Sequence, residues 1–184
     1  MRIISGMHKG RKLTAPKTLS ARPTTDVAKE GLFNVLSHRI DLSEQSVLDL
    51  FSGTGNISFE FCSRGSQRVN AVEQDRQACG FIRKTAELLS LETLEIRCTK
   101  VESFLQSTAN PYDIVFMDPL YNIGVPAYAK LIALVFDRNW ISEDGILIAE
   151  HSSKDNLSAL AHFSESRGYG SSSFSFFQKN KSRS

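Results

Sequence analysis

The chain of 184 residues sets 22 Lys and Arg against 20 Asp and Glu, a formal net charge of +2, with 41% hydrophobic and 23% charged residues. That mixture suits one compact globular domain and excludes disorder, collagen and coiled coil. No apolar run approaches a membrane span: the longest, 131–136, stops at Asp137, and the first residues hold no apolar stretch of signal length.

A cytoplasmic protein with no membrane partner is therefore expected. Cys62, Cys79 and Cys98 form no Cys-x-x-Cys pair, and four scattered histidines lack ligand spacing. Reduced thiols, buried as small apolar residues, and no metal are expected.

Charge is distributed unevenly. Arg2, His8, Lys9, Arg11, Lys12, Lys17 and Arg22 precede the first acid, Asp26, and the end adds Lys179, Lys181 and Arg183. A basic leading arm of this kind suits a polyanionic partner, or simply solubilises the chain. Two short, partly apolar runs, 2–6 and 10–15, flank glycines and read as a small hairpin. Pro16 and Pro23 keep the chain extended up to Thr24. Thr25 and Asp26 then make an N-cap and first turn for a helix over 27–38. Ala28, Leu32, Val35 and Leu36 supply its buried stripe, and Lys29 and Glu30 fall among the exposed positions.

From Val47 onward, short apolar runs alternate with helical stretches. Strands are predicted at 47–51, 68–73, 94–98, 114–117 and 146–150, and helices at 56–62, 77–89 and 127–136. Strands spaced by helices build βαβ units and a parallel sheet. The last two runs, 163–169 and 171–177, are separated only by Gly170, so they form an antiparallel hairpin at one sheet edge. Phe174, Phe176 and Phe177 on the second run read as core. The fold class is α/β, mostly parallel, with a small basic N-terminal hairpin (1–24) preceding one domain (25–184).

Open parallel sheets bind ligands at the carboxyl ends of their strands. The first strand ends Asp49-Leu50-Phe51-Ser52-Gly53-Thr54-Gly55. Its glycines let backbone approach a ligand, and the next helix offers free amides. Glu73 closes the second strand some twenty residues later, where a carboxylate can accept both hydroxyls of a ribose. Asp49 would repel a pyrophosphate and attract an ammonium. Ser58 stands where Gly or Ala would complete a dinucleotide fingerprint. S-adenosylmethionine, with a ribose, an ammonium and no phosphate, fits all three observations.

The fourth strand ends Asp118-Pro119-Leu120-Tyr121, similar to the Asp/Asn-Pro-Pro-Tyr/Phe motif of amino-methyltransferases. The Asp118 carboxylate and the Pro119 carbonyl can accept the two N–H bonds of an aromatic amine and aim its lone pair at a methyl sulfonium. Tyr121 can stack on an extruded base. Leu120 departs from the motif.

With these residues in view, the chain resembles the RsmD family, bacterial methyltransferases of guanine N2 in 16S ribosomal RNA. The likeness runs from Arg2-Ile3-Ile4-Ser5-Gly6 through Gly10–Leu13 and Arg22-Pro23-Thr24-Thr25-Asp26 with Lys29-Glu30. It continues over 47–56 and Ser63-Arg64-Gly65 to 118–121, Trp140 and Glu150. The resemblance implies a Rossmann-like class I methyltransferase fold using S-adenosylmethionine on 16S rRNA, within the small subunit or its assembly intermediate, as a monomer. It implies Asp49, Phe51, Gly53, Gly55 and Glu73 on the cofactor, with Lys100 and Val101 near the adenine. There the family commonly has Asp or Asn, and this chain has Lys100. Asp118, Pro119 and Tyr121 fall at the target amine, and Arg2, Lys9, Arg11, Lys12, Arg22 and Thr24 on the RNA. Glu150 either ends the fifth strand or does more. His151 beside it reads as structural. An adenine-N6 DNA methyltransferase and a non-catalytic ribosome-assembly factor are the alternatives.

Overall fold

The computed structural model describes residues 1–16, 19, 24–119 and 123–179. Arg22, Pro23, Leu120, Tyr121, Lys181 and Arg183 lie outside the described residues. Among the described residues, twelve α-helices and strands follow in order, besides a 3-10 turn at Leu42–Glu44: α1 (Asp26–Ser37), β1 (Ser46–Leu50), α2 (Asn56–Ser63), β2 (Arg68–Glu73), α3 (Arg76–Leu88), β3 (Leu94–Cys98), α4 (Val101–Leu105), β4 (Tyr112–Met117), α5 (Val125–Asp137), β5 (Ile141–Ser152), β6 (Phe163–Tyr169) and β7 (Ser172–Phe177). The strands form one sheet of order β3-β2-β1-β4-β5-β7-β6. β1 to β5 pair in parallel, whereas β7 runs antiparallel to both β5 and β6. The predicted hairpin is therefore present, with β7 inserted beside β5 and β6 left as the edge.

Each face of the sheet carries its own apolar layer. One layer joins Val47, Val69, Ile114, Phe116, Ile148, Phe174 and Phe176 to α1, α2, α3 and the N-terminal Ile3 and Leu13. The other joins Leu48, Leu50, Val115, Met117, Leu147 and Phe177 to α4, α5 and Trp140. The period-2 alternation of strand side chains produces this division. Leu32 and Phe33 of α1 are fully buried, each worth roughly 1.5–3 kcal/mol of apolar burial.

The local chemistry explains the element ends. Thr25 caps α1, its hydroxyl accepting from the Ala28 amide at 3.2 Å. Asp75 caps α3 by accepting from Gln77 and Ala78, and Pro126 sits in the first turn of α5, where its missing N–H costs nothing. α4 was not expected; its five residues are too few for a periodicity to show. β5 begins at Ile141 rather than Ile146 because Tyr112 pairs with Ile141 before a register shift ahead of Ile114.

Two expectations are corrected. Lys29 is not exposed but fully buried. Cys98, expected to be buried like Cys62 and Cys79, is exposed near the end of β3. No helix among the described residues is long and apolar enough to cross a membrane, and no group of three or more His, Cys, Asp or Glu could hold a metal among them.

The N-terminal hairpin is docked onto the domain. Its arms meet at an Arg2–Lys12 bridge, with the Ile3 amide on Arg11 O at 2.9 Å and the Leu13 amide on Met1 O at 3.0 Å. Its turn is held by Ser63, whose carbonyl accepts from Met7 and whose hydroxyl accepts from the His8 amide. Glu60, fully buried in α2, accepts the amides of Ile4 (2.8 Å) and Ser5 (3.0 Å) and the Arg64 guanidinium (2.9 Å). Lys29 completes the cluster, donating to Arg2 O at 2.6 Å and Asn56 Oδ1 at 2.8 Å, with Glu60 Oε2 at 3.4 Å. Burial pulls the Lys29 amine below the ordinary lysine range, and Glu60 opposes that shift.

Candidate active site

Four carboxylates come together at the carboxyl edge of the sheet, and strand parity explains why. Asp49 of β1 registers with Phe116 of β4, and Phe116 with Ile148 of β5. Phe116 and Ile148 point into the layer under α1 and α2, so Asp49 does too. Two residues further on, Asp118 and Glu150 share that side. Glu73, in step with Val69 and Ala71, faces the same way from β2.

The loop after β1 is tightly turned. Phe51 adopts φ 62°, a left-handed backbone that is strained for an aromatic residue. The Ser52 amide then bonds Val72 O and its hydroxyl reaches Asp49 O at 2.8 Å. Gly55 (φ 76°) begins α2, and a Cβ there would lie 3.1 Å from both Ile82 and the Phe59 ring. The third position is therefore glycine for conformation and for contact with α3.

Glu73 braces this loop. Its Oε2 accepts the Gly53 amide at 2.8 Å, and its Oε1 accepts those of Gln74 and Asp75, each at 2.8 Å. Three of the roughly four acceptor positions of a carboxylate are thus taken by backbone. The Thr99 amide bonds Glu73 O at 2.9 Å and the Cys79 thiol reaches it at 3.3 Å. Lys100 caps α4 through its backbone with its side chain exposed, and Val101 behind it is buried.

Asp49 is buried, and its Oδ2 accepts from the Ser58 hydroxyl. Burial pushes its carboxyl up to about 7 against that hydrogen bond, and Glu73 adds to the rise. Ser58, which breaks the dinucleotide fingerprint, is thus the partner of Asp49. Asp118, half-buried, donates its amide to Leu50 O at 3.4 Å, and Pro119 behind it is buried. The Asp118 carboxyl is driven well above the usual range by burial, then by Glu150 and Asp49. Glu150 is also raised by burial, opposed by hydrogen bonds from Thr24 and Ser172. Tyr128 of α5 donates its hydroxyl to Glu150 O at 2.8 Å.

Residues expected on an anionic partner do not share one environment. Lys9, Arg11 and Lys12 are exposed on the hairpin. Arg2 is half-exposed and lies 3.6 Å from both Asp26 and Glu30 of α1. Thr24 is buried, and its hydroxyl is committed to Glu150 Oε2 at 2.7 Å. Tyr121 and Arg22 lie outside the described residues. A cleft of about 700 Å³ runs between the hairpin and the start of α1, lined by Met1, Arg2, Lys12, Leu13, Thr24 and Asp26 among others.

Sequence reasoning missed the Lys29–Asn56–Glu60 cluster and the Thr24–Glu150 bond. A signal for the first was available: Lys29, Leu32, Phe33 and Leu36 share one helical stripe, so Lys29 belonged to the buried face. No local pattern joins Thr24 to Glu150, 126 residues away.

A parallel sheet with one inserted antiparallel strand and an acidic carboxyl edge defines the class: a Rossmann-like methyltransferase domain. The family model described as "Conserved hypothetical protein 95" matches residues 1–178. Ribosomal RNA small subunit methyltransferase D of Escherichia coli (strain K12) is 31% identical over 157 residues, 85% of this chain and 77% of that one. The protein of that name from Haemophilus influenzae is 34% identical over 154 residues, 82% of this chain and 78% of its own. Among solved structures, yhhF of Escherichia coli superposes with a TM-score of 0.82 at 28% identity, covering 97% of each chain. An RNA methyltransferase from Salinibacter ruber, in complex with S-adenosyl-L-homocysteine, shares the fold at a TM-score of 0.67 and 15% identity over 88% of this chain and 97% of that one. The chain belongs to the RsmD family.

Proposed function

We propose that this protein transfers the methyl group of S-adenosylmethionine to the exocyclic N2 amine of a guanine in 16S ribosomal RNA. The observation that carries the reading is the line of carboxyls Glu73, Asp49, Asp118 and Glu150 on one sheet face, set in an RsmD-family chain. Its relatives are named for methylation of small-subunit rRNA, and the Salinibacter neighbour binds the demethylated form of the cofactor.

The residues present fit S-adenosylmethionine. Among the described residues, the charges bearing on Asp118 are acidic, so the edge suits a cationic ligand and rejects a pyrophosphate. Asp49 meets the ammonium, which draws its carboxyl to the charged form. Glu73 uses its remaining acceptor position for a ribose hydroxyl while holding Gly53 in place. Gly55 and the Phe51 turn would let backbone approach the ligand, and the Lys100–Val101 backbone would hold the adenine. Bound there, the cofactor supplies an electrophilic methyl on a sulfonium.

The acceptor side is built by Asp118 and Pro119. Their carboxylate and carbonyl take the two N–H bonds of the target amine, whose lone pair otherwise delocalises into the base. Tyr121 stacks on the extruded guanine. Arg2, Lys9, Arg11, Lys12 and Arg22 hold phosphates, which set position and affinity without reading sequence. The partner is the small ribosomal subunit or its assembly intermediate, met by a cytoplasmic monomer.

The test supplies labelled S-adenosylmethionine to purified small subunits lacking the modification, with naked rRNA and duplex DNA alongside, followed by nucleoside analysis. N2-methylguanosine from subunits or rRNA is expected. N6-methyladenine in DNA, or binding of the cofactor with no transfer to any substrate, overturns the reading.

A further inference from the structure

We propose that Glu150 is a positioning residue that shares one proton with Asp118 and so makes Asp118 the acceptor of the proton shed by the methylated amine. The inference rests on the function proposed above and deepens it.

The geometry comes from the sheet. Met117 registers with Ala149 across the β4–β5 ladder, so the next residue on each strand, Asp118 and Glu150, lies side by side on one face. Neighbouring parallel strands run about 4.8 Å apart. Glu150 is buried and Asp118 half-buried, and two adjacent carboxyls so placed cannot both ionise readily. Their surroundings decide which keeps the proton. Glu150 accepts from the Thr24 hydroxyl at 2.7 Å and from Ser172 of β7, neutral donors that favour its charged form. Asp118 faces Glu150 and Asp49, both acids. The proton therefore rests on Asp118 in the ligand-free protein. Among the described residues, Tyr128 of α5, bonded to the Glu150 carbonyl, also faces the pair, and Asp155 bears on Tyr128. His151 turns its ring to Ser152 O and Ser175, away from the pair.

Thr24 is itself held in a chain. Asn56 Nδ2 donates to Thr24 O at 3.2 Å, and Lys29 donates to Asn56 Oδ1. The buried ion pair that docks the N-terminal hairpin thus also places the hydroxyl that keeps Glu150 charged.

The reaction needs this arrangement at one moment. With a cationic ligand at the acid edge the Asp118 carboxyl would release its proton to solvent, and the resulting carboxylate then accepts an amine N–H. The amine lone pair forms the new N–C bond, the C–S bond breaks, and its electron pair leaves with sulfur. The nitrogen, now cationic, gives its proton to the Asp118 carboxylate, whose proton affinity the adjacent Glu150 carboxylate has raised. A neutral methylamine and a protonated Asp118 remain.

Glu150→Gln tests this, because the amide oxygen still accepts from Thr24 while the charge is gone. Single-turnover methyl transfer is followed against pH with cofactor and subunits saturating, beside the melting temperature and a carbon-13 NMR titration of the Asp118 carboxyl in ligand-free protein. The expected result is an unchanged melting temperature, an Asp118 midpoint that moves down, a rising limb of the rate profile displaced to lower pH, and a plateau rate lowered about tenfold or more. A variant with the wild-type Asp118 midpoint overturns the proposal, and so does a shifted midpoint with a wild-type rate profile. If the wild type forms no N2-methylguanosine, the proposed function fails while the NMR titration still decides whether the proton is shared.

Discussion

Two clusters of buried charge lie on the same face of the sheet, and they are built on opposite plans. Around Glu60 every charge meets a counter-charge or a donor: Lys29, Arg64 and the amides of Ile4 and Ser5 converge on one carboxylate. Along the carboxyl edge, burial raises Asp49, Asp118 and Glu150, Glu73 adds to Asp49, and Glu150 and Asp49 add to Asp118. Among the described residues neutral Ser and Thr groups relieve Asp49 and Glu150, and no cation bears on any of the three. The first cluster is complete without a ligand and ties three segments together. The second is held at a cost in stability and becomes favourable when a cation arrives. Closed charge networks read as structure, and uncompensated ones read as sites.

The largest effect on stability is therefore expected away from the site. Lys29→Met leaves Glu60 buried without its amine and should lower the unfolding free energy by about 3–5 kcal/mol in urea titrations. Adding Glu60→Leu should recover much of that loss, since a buried pair can be replaced by apolar residues far more cheaply than it can be broken. If Lys29→Met were as stable as the wild type, the cluster would not hold the hairpin. Asp118→Asn should behave in the opposite way: stability unchanged or raised by up to about 1 kcal/mol, because an amide sits beside the neighbouring acids without having to take up a proton on folding.

A third expectation concerns pH. Asp49 titrates at about 7 in the ligand-free protein, and a bound ammonium favours its ionised form. Affinity for S-adenosylmethionine should then rise with pH up to about 7, losing up to about tenfold per unit as pH falls below it, and decline again above about 8 as the ligand's α-amino group gives up its proton. Isothermal titration across pH 5.5–8.5 checks this, and Asp49→Asn should bind weakly with that dependence flattened. The smallest effect belongs to the hairpin: neutralising Lys9, Arg11 and Lys12 should flatten the log–log salt dependence of RNA binding by about one unit of slope per lost phosphate contact. An unchanged slope would remove the hairpin from the RNA.

The alternation of strands and helices, the glycine turn and the C-terminal hairpin were all legible, because each is written in local periodicity and turn chemistry. The acid edge was legible in part: Asp49, Glu73 and Asp118 each end a recognisable strand. What stayed hidden is long-range. Thr24 satisfies Glu150 from 126 positions away, and Glu60 collects the Ile4 and Ser5 amides from more than fifty. No window of sequence contains both partners of such bonds. Lys29 was misplaced for a different reason, since its charge outweighed its position on the apolar stripe. Cys98 lies exposed next to the turn that leaves β3, where strand alternation no longer decides burial.

The central claim is that Asp118 serves the target amine and not the cofactor. The direct measurement is Asp118→Ala assayed twice, for methyl transfer to small subunits and for S-adenosylmethionine binding by calorimetry. Turnover should fall by about a thousandfold or more, with the dissociation constant for the cofactor within about threefold of the wild type. Cofactor affinity lost in parallel with turnover would contradict the account and place Asp118 in the other half of the site.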